Sequence, residues 1–220
     1  MYTLYTCSKG YTDEPTSLAP QIALEEIGAD YNLVEVDLFD VPEWFYKLHP
    51  RGKIPVLAVS PSDPAGEPLL IYPSTAILLY LAEQHPSCKL LPAAGTNQRA
   101  LAYKWMIYLS EELQAWFMMD SFPERYCLEE SQKTIIESKA ALLIDEAWQE
   151  IDKELATHPY LLGQNYSVID LFLYMTTRWI RPEIHKRLNH YPNIARTVSL
   201  IESREAVLRT LKNNDMAVIS

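Results

Sequence analysis

The sequence predicts an α/β domain of order β-α-β-α-β-β-α, followed by an all-helical domain. Three observations carry that expectation. Short β-like segments and helical segments alternate only within residues 1–85. Residues 86–96, Pro-Ser-Cys-Lys-Leu-Leu-Pro-Ala-Ala-Gly-Thr, have the composition of a linker. After them everything reads helical, so the second domain is assigned to residues 97–220.

The elements follow in order. Residues 2–6, rich in Tyr and Thr, predict a short strand. Residues 18–27 predict a helix closed by Gly28, a residue suited to a left-handed C-terminal position. Residues 31–38 place Leu33, Val34 and Val36 among polar neighbours, as a strand does. Residues 41–48 predict a short irregular helix. Residues 54–59 and 69–72 are apolar strands, separated by a turn dense in Pro, Gly and Asp at 60–68 and so expected to form a hairpin. Residues 74–84 predict a helix. The first two strands need a crossover and should be parallel, whereas the last two can be antiparallel. In the second domain, residues 97–117 and 128–155 predict long helices. Ser167-Val168-Ile169-Asp170 reads as a capping box with Asp in the Glu/Gln position, before an apolar run. Pro182 and Pro192 mark breaks, and residues 192–202 and 204–212 predict the last helices.

Composition excludes several functions. The chain has 220 residues, 48% hydrophobic and 22% charged, with a net charge of −10. That balance is wrong for neutralising phosphates, so no nucleic-acid partner is expected. No apolar run is long enough to span a bilayer, and the first residues do not read as a signal peptide, so no membrane partner is expected. Cys7, Cys88 and Cys127 are odd in number and far apart, which suits a reducing cytoplasm. The five histidines show no metal-ligand spacing, and no metal site is expected.

Two stretches carry chemistry. In His49-Pro50-Arg51-Gly52-Lys53-Ile54-Pro55-Val56-Leu57 a polar turn leads to a proline that opens a strand. Pro55 is therefore a natural cis site, since an X–Pro bond loses most of its preference for trans. Such a bond turns the backbone groups of Ile54 outward, free to pair with an extended peptide. In Tyr72-Pro73-Ser74-Thr75-Ala76-Ile77 a strand ends at a hydroxyl residue that starts a helix. Ser74 there can offer a hydroxyl, and its helix N–H groups, to an anion. Together they describe a pocket for a small peptide bearing a carboxylate.

These motifs resemble those of cytosolic glutathione S-transferases, most closely the bacterial beta type, over nearly the whole chain. The matching segments begin with Ser17-Leu18-Ala19-Pro20-Gln21-Ile22-Ala23-Leu24-Glu25-Glu26 and His49-Pro50-Arg51-Gly52-Lys53-Ile54-Pro55. They continue with Leu91-Pro92-Ala93-Ala94-Gly95-Thr96, Ser167-Val168-Ile169-Asp170 and Arg178-Trp179. The resemblance implies a thioredoxin-like first domain that binds glutathione as co-substrate, with no tightly bound cofactor. Ile54 would pair with the cysteinyl residue in front of cis-Pro55, beside Lys53. Ser74, after Pro73, would hold the γ-glutamyl carboxylate. The helical domain would offer a hydrophobic pocket for an electrophile, with Gln114, Trp116 and Trp179 as candidates. A two-fold homodimer is implied, residues 76–84 meeting residues 97–117 of the partner.

The chain departs from the family pattern at four polar positions. Pro73 stands where an acidic residue usually holds the ammonium group of glutathione, which predicts weaker binding. Thr16 stands where the beta type has cysteine, and Ile107 and Gln114 align with an asparagine and a histidine. The loop 7–15 also looks longer than usual. The chemistry requires a thiolate, and a thiol's ordinary pKa is near ~8.5. Lowering it by two units takes roughly 2.7 kcal/mol of preferential stabilisation. Thr16, Ser17 and Tyr5 are candidate donors, and Cys7 a candidate for mixed-disulfide chemistry. Each has a structural alternative: capping for Thr16 and Ser17, core packing for Tyr5, Cys7, Trp116 and Trp179. The expected function is conjugation of glutathione to a hydrophobic electrophile. The alternatives are disulfide exchange through Cys7, or a non-enzymatic binding protein on the same fold.

Overall fold

A computed structural model of the chain describes residues 1–8, 14–61, 63, 65–181 and 185–220. Most of the loop expected to be long, Pro182, and parts of the 60–68 turn lie outside the described residues. The elements are β1 (Tyr2–Cys7), α1 (Leu18–Glu26), β2 (Tyr31–Val36), a 3-10 turn at Glu43–Lys47, β3 (Val56–Val59), β4 (Leu69–Ile71) and α2 (Ser74–Gln84). Then come α3 (Asn97–Tyr108), a π turn at Leu109–Leu113, α4 (Gln114–Ser121), α5 (Lys133–Glu154), α6 (Val168–Thr177), α7 (Pro192–Glu202) and α8 (Glu205–Asn213). The chain divides into two compact units. One holds Met1–Leu91 with Ser203–Val218, the other Pro92–Glu202 with Ile219–Ser220.

The first unit carries one sheet in the order β2-β1-β3-β4. β1 and β2 are parallel, with Tyr5 opposite Val34, and β1 and β3 antiparallel, with Tyr5 opposite Val56. β3 and β4 form the expected antiparallel hairpin. This is the predicted β-α-β-α-β-β-α order, with the irregular second helix realised as the 3-10 turn. Side chains alternate along β1. Tyr5 packs with Phe45, Val36 and Val56 in one core, its ring 5.7 Å from Phe45 and 6.1 Å from Trp44. Leu4 and Leu57, with Ile22, Leu24, Ile77 and Leu81 from α1 and α2, are fully buried. Each such side chain is worth about 1.5–3 kcal/mol of burial. Gly28, at φ +64°, closes α1 as expected. Ile54–Pro55 is cis, as the sequence predicts, and Tyr72–Pro73 is cis as well.

α8 groups with the first unit, although it lies within the residues 97–220 expected to form the helical domain. It packs on α1. Arg204 donates to both oxygens of Glu26 at 2.6 and 2.8 Å, and Arg209 donates to Glu25 at 3.1 Å. Asn214 donates to Gln21 at 3.0 Å. These partners are 178 to 193 residues apart, and no local pattern predicts such pairing.

The second unit is helical. α3 and α4 form one run interrupted by the π turn, somewhat longer than the expected 97–117. α5 begins at Lys133, not at 128. Glu129 and Gln132 close a capping box ahead of it, and Leu128 is fully exposed rather than a helix core residue. Trp105, Phe117, Trp148, Phe172 and Tyr174 fill the core. Every residue of α6 is buried. Its start is the predicted capping box. Asp170 accepts from the backbone N–H of Ser167 at 2.8 Å and of Leu161 at 2.9 Å, and from the Ser167 hydroxyl at 2.8 Å. Asp152 on α5 accepts from the N–H of Asn193 and of Ile194 at the start of α7, at 2.8 and 3.0 Å, where negative charge is favoured. Among the described residues no helix is long and apolar enough to cross a membrane.

Candidate functional site

Thr16 is the junction of the first unit. Its hydroxyl donates to the Ile54 carbonyl at 3.2 Å, and its own carbonyl accepts from the Ser74 hydroxyl at 2.8 Å. One residue thus joins the loop before α1, the residue preceding cis-Pro55, and the first turn of α2. The sequence named all three but gave no sign of their connection. The local causes are plain. Cis-Pro55 leads straight into β3, which fixes Ile54 at the strand's start. Pro73 precedes Ser74 at the N-cap position of α2, where extended backbone is required.

Ser74 is 3% exposed, and its proton is directed at Thr16. An anion at this helix end would therefore meet the backbone N–H groups of the first turn, which have no partner within a helix. Thr75, in that turn, is only partly buried. Pro73 is exposed and offers no donor.

A second organised loop lies alongside. His49 is 6% exposed, and its Nδ1 accepts from the backbone N–H of Arg51 at 3.1 Å and of Lys53 at 3.3 Å. The accepting nitrogen carries no proton, so the ring is neutral with its hydrogen on Nε2. Burial, helped by the charges of Arg51 and Lys53, pushes the imidazole below its ordinary value. The Gly52 N–H closes the turn on the His49 carbonyl at 2.9 Å. Gly52 has φ +59°, and a Cβ there would meet Val41 at 2.9 Å and Tyr46 at 3.1 Å, so the turn requires glycine. The His49 ring lies 4.2 Å from that of Tyr72, centroid to centroid. The sequence marks His49 only as part of a turn. A ring nitrogen two residues before the N–H it accepts mimics the Asn or Asp side chain of a common turn, which is the one available signal.

The remaining candidates separate. Ser17 is fully buried and shares a 2.5 Å hydrogen bond with Thr6, itself buried. It sits at the N-cap position of α1 without a side-chain cap bond, so it serves neither as cap nor as a donor facing solvent. Instead it pins α1 to β1. Cys7 ends β1 and is 7% exposed, and Cys7, Cys88 and Cys127 are all thiols. Tyr5 packs on Trp44 and Phe45, and burial pushes its phenol up, which suits the core role. Lys53 is exposed, with its backbone held by His49.

In the second unit Gln114 and Trp116 are half-buried on α4. Two positions apart, they point to different sides of the helix. Trp179 is half-buried and edge-on to Phe117 at 5.7 Å, and Phe117 in turn contacts Trp148 and His185. Trp179 therefore belongs in part to the core of that unit. Ile107 is 59% exposed. Among the described residues no cluster of His, Cys, Asp and Glu is placed to share a metal ion.

Residues 15–84 match the family model described as the glutathione S-transferase N-terminal domain. That span contains Thr16, His49, Ile54, Pro55 and Ser74. The chain is 31% identical over 200 residues to the disulfide-bond oxidoreductase YfcG of Escherichia coli K12, covering 86% of each protein. It is 26% identical over 176 residues to the glutathione S-transferase GstA of Escherichia coli O157:H7, covering 77% of this chain and 80% of that one. Among solved structures, a sphingomonad glutathione S-transferase complexed with glutathione superposes with a TM-score of 0.79 at 29% identity, over 98% of this chain and 100% of that one. A beta-class enzyme of Sphingomonas chungbukensis gives 0.77 at 27% identity, with the same coverage.

Proposed function

This chain belongs to the glutathione S-transferase family, and on that premise we propose that its first unit binds glutathione and uses the thiolate to attack a hydrophobic electrophile. The observation that carries the reading is the Thr16 junction, which ties Ile54 to Ser74. Glutathione is an extended tripeptide with a carboxylate at each end and a thiol between. Its cysteinyl backbone would pair with Ile54 as an added strand does. Its γ-glutamyl carboxylate would sit on the N–H groups of Ser74 and Thr75 at the start of α2.

Thr16 supplies the activation. Its hydroxyl proton now rests on the Ile54 carbonyl. When the cysteinyl N–H of the ligand takes that carbonyl, the Thr16 hydroxyl turns to the sulfur. A hydrogen bond to a charged group contributes about 1.5–3 kcal/mol. The requirement for lowering a thiol pKa by two units is about 2.7 kcal/mol. One hydroxyl therefore accounts for most of the activation, with the helix end favouring negative charge in addition. Gln114, Trp116 and Trp179 are proposed to meet the electrophile, and the protein to act as a homodimer.

A second reading, exchange on mixed disulfides of glutathione, has one observation in its favour, the relative whose name is disulfide-bond oxidoreductase. The burial of Cys7 weighs against that residue as the attacking group, since attack needs an accessible thiolate. One experiment separates the readings. Conjugation is followed with an activated aryl chloride, and exchange with a mixed disulfide of glutathione and a small thiol, for the parent, Thr16→Val and Cys7→Ala. Loss of conjugation in Thr16→Val alone supports the first reading. Loss of exchange in Cys7→Ala alone supports the second.

A further inference from the structure

We propose that His49 is a positioning residue for glutathione, its neutral ring holding the two halves of the proposed site in register. This rests on the glutathione reading above and adds to it a residue that never touches the ligand. On one side His49 Nδ1 fixes the N–H groups of Arg51 and Lys53, and Lys53 leads directly into Ile54. On the other side its ring lies against Tyr72, which leads through Pro73 to Ser74. The ring is thus shared by the strand-pairing segment and the carboxylate-binding segment. The Gly52 N–H, between those two donors, is taken by the His49 carbonyl, so three successive N–H groups of this turn are held by His49.

The arrangement demands an unprotonated nitrogen. In the imidazolium form both ring nitrogens are donors. Protonation would set an N–H against the N–H groups of Arg51 and Lys53 and release the segment that carries Ile54. Burial and two neighbouring cations outweigh the one opposing influence on the His49 ring, a hydrogen bond with its own backbone, and favour the neutral form. Arg51 and Lys53, both cations, face it from its own loop, and burial works in the same direction. Tyr72 presents an aromatic ring from the connection between β4 and α2, and in the 3-10 turn the Phe45 carbonyl accepts the backbone N–H of His49, not its ring, at 3.0 Å. Glutathione affinity should therefore fall as pH drops below the ordinary histidine range. The free ligand keeps its charge there, because carboxyl groups titrate near ~3.5 and thiols near ~8.5. The bound thiol that Thr16 activates titrates in this range in the parent and the His49 variants alike, so the readout is the difference between them.

The test is calorimetric titration with glutathione at pH 7.5 and pH 5 for the parent, His49→Asn and His49→Ala. Asparagine offers an oxygen to an N–H two residues on and cannot be protonated in this range. At pH 7.5 His49→Ala should bind about tenfold more weakly, the effect of losing an acceptor for two hydrogen bonds. His49→Asn should recover part of that loss. On going to pH 5 the parent should weaken several-fold more than His49→Asn does. The comparison of the parent with His49→Asn does not use His49→Ala, so it stands even if His49→Ala fails to fold. Equal pH dependence in the parent and His49→Asn overturns the proposal, as does a folded His49→Ala that binds like the parent. A parent that binds no glutathione at pH 7.5 overturns the glutathione reading, and the positioning role with it.

Discussion

Thr16 and Ser17 are adjacent residues with nearly the same side chain, yet only one of them faces the proposed ligand. At the turn into α1 the backbone sends the Ser17 hydroxyl inward to Thr6 and the Thr16 hydroxyl across to Ile54. Thr16→Val should therefore raise the pKa of the bound glutathione thiol by about one to two units, the equivalent of one charge-assisted hydrogen bond. Thiolate absorbance as a function of pH measures this directly. Ser17→Ala should leave that titration in place and appear in stability. Losing a buried hydrogen bond and orphaning the Thr6 hydroxyl costs about 1–2 kcal/mol. In a chain of this length that lowers the melting temperature by roughly 2–4 °C per kcal/mol. A Ser17→Ala protein that melts like the parent but has a raised thiol pKa would exchange the two roles.

At the scale of the element, the start of α6 concentrates buried polarity around one carboxylate. Burial raises the Asp170 carboxyl to about 6, against the pull of the hydrogen bonds it accepts from Leu161 and Ser167. The folded protein then holds that proton more tightly than the unfolded chain, whose value is 3.8. The stability linked to protonation is complete below 3.8 and is lost as pH rises through about 6. A shift of this size corresponds to about 3 kcal/mol. Asp170→Asn removes the titration. The stability of the parent relative to that variant, from urea unfolding, should fall between pH 4 and pH 7, and a constant difference would contradict the account. Asp170→Ala removes the cap itself, at a cost of about 0.5–2 kcal/mol, and more where buried N–H groups lose their partner. Its activity should fall only as its folded fraction falls.

This cap was legible because its partners lie three residues apart, within reach of a local pattern. The strands, the hairpin, Gly28 and Pro55 were legible for the same reason: period, turn chemistry and backbone restriction act over a few residues. The candidate site was legible only as separate pieces. Ile54 and Ser74 announce themselves through the proline before β3 and the hydroxyl before α2. What binds them is a contact across 38 and 58 residues, and nothing in the neighbourhood of Thr16 encodes it. His49 was missed because a histidine in a polar turn has many possible uses, and only the positions of the Arg51 and Lys53 N–H groups select one. The start of α5 was misplaced because Leu128 is apolar but faces solvent.

At the scale of the whole molecule, the chain's last helix belongs to its first unit. Arg204 and Glu26 form a two-bond ion pair in which the carboxylate is largely buried, while Arg204 keeps a third of its surface. Such a pair lies between the weak exposed class and the hydrogen bonds made to buried charges. Arg204→Ala should cost about 1–2 kcal/mol, and amide exchange should quicken along both α1 and α8. Quickening in α8 alone would mean that α1 does not depend on it. Leu101, Tyr103 and Ile107 are exposed apolar side chains on α3, one of the helices expected in the dimer contact. Light scattering at micromolar concentration should give twice the 25.3 kDa of one chain, and a monomeric mass would remove that proposal. The central claim is that the Thr16 junction forms a glutathione site. Isothermal titration of glutathione into the parent at pH 7.5 tests it most directly. The account predicts one site per chain, with Kd below ~1 mM (about 4 kcal/mol of binding free energy), and clearly weaker binding in Thr16→Val. No saturable heat at millimolar glutathione, from protein shown to be folded, would contradict it.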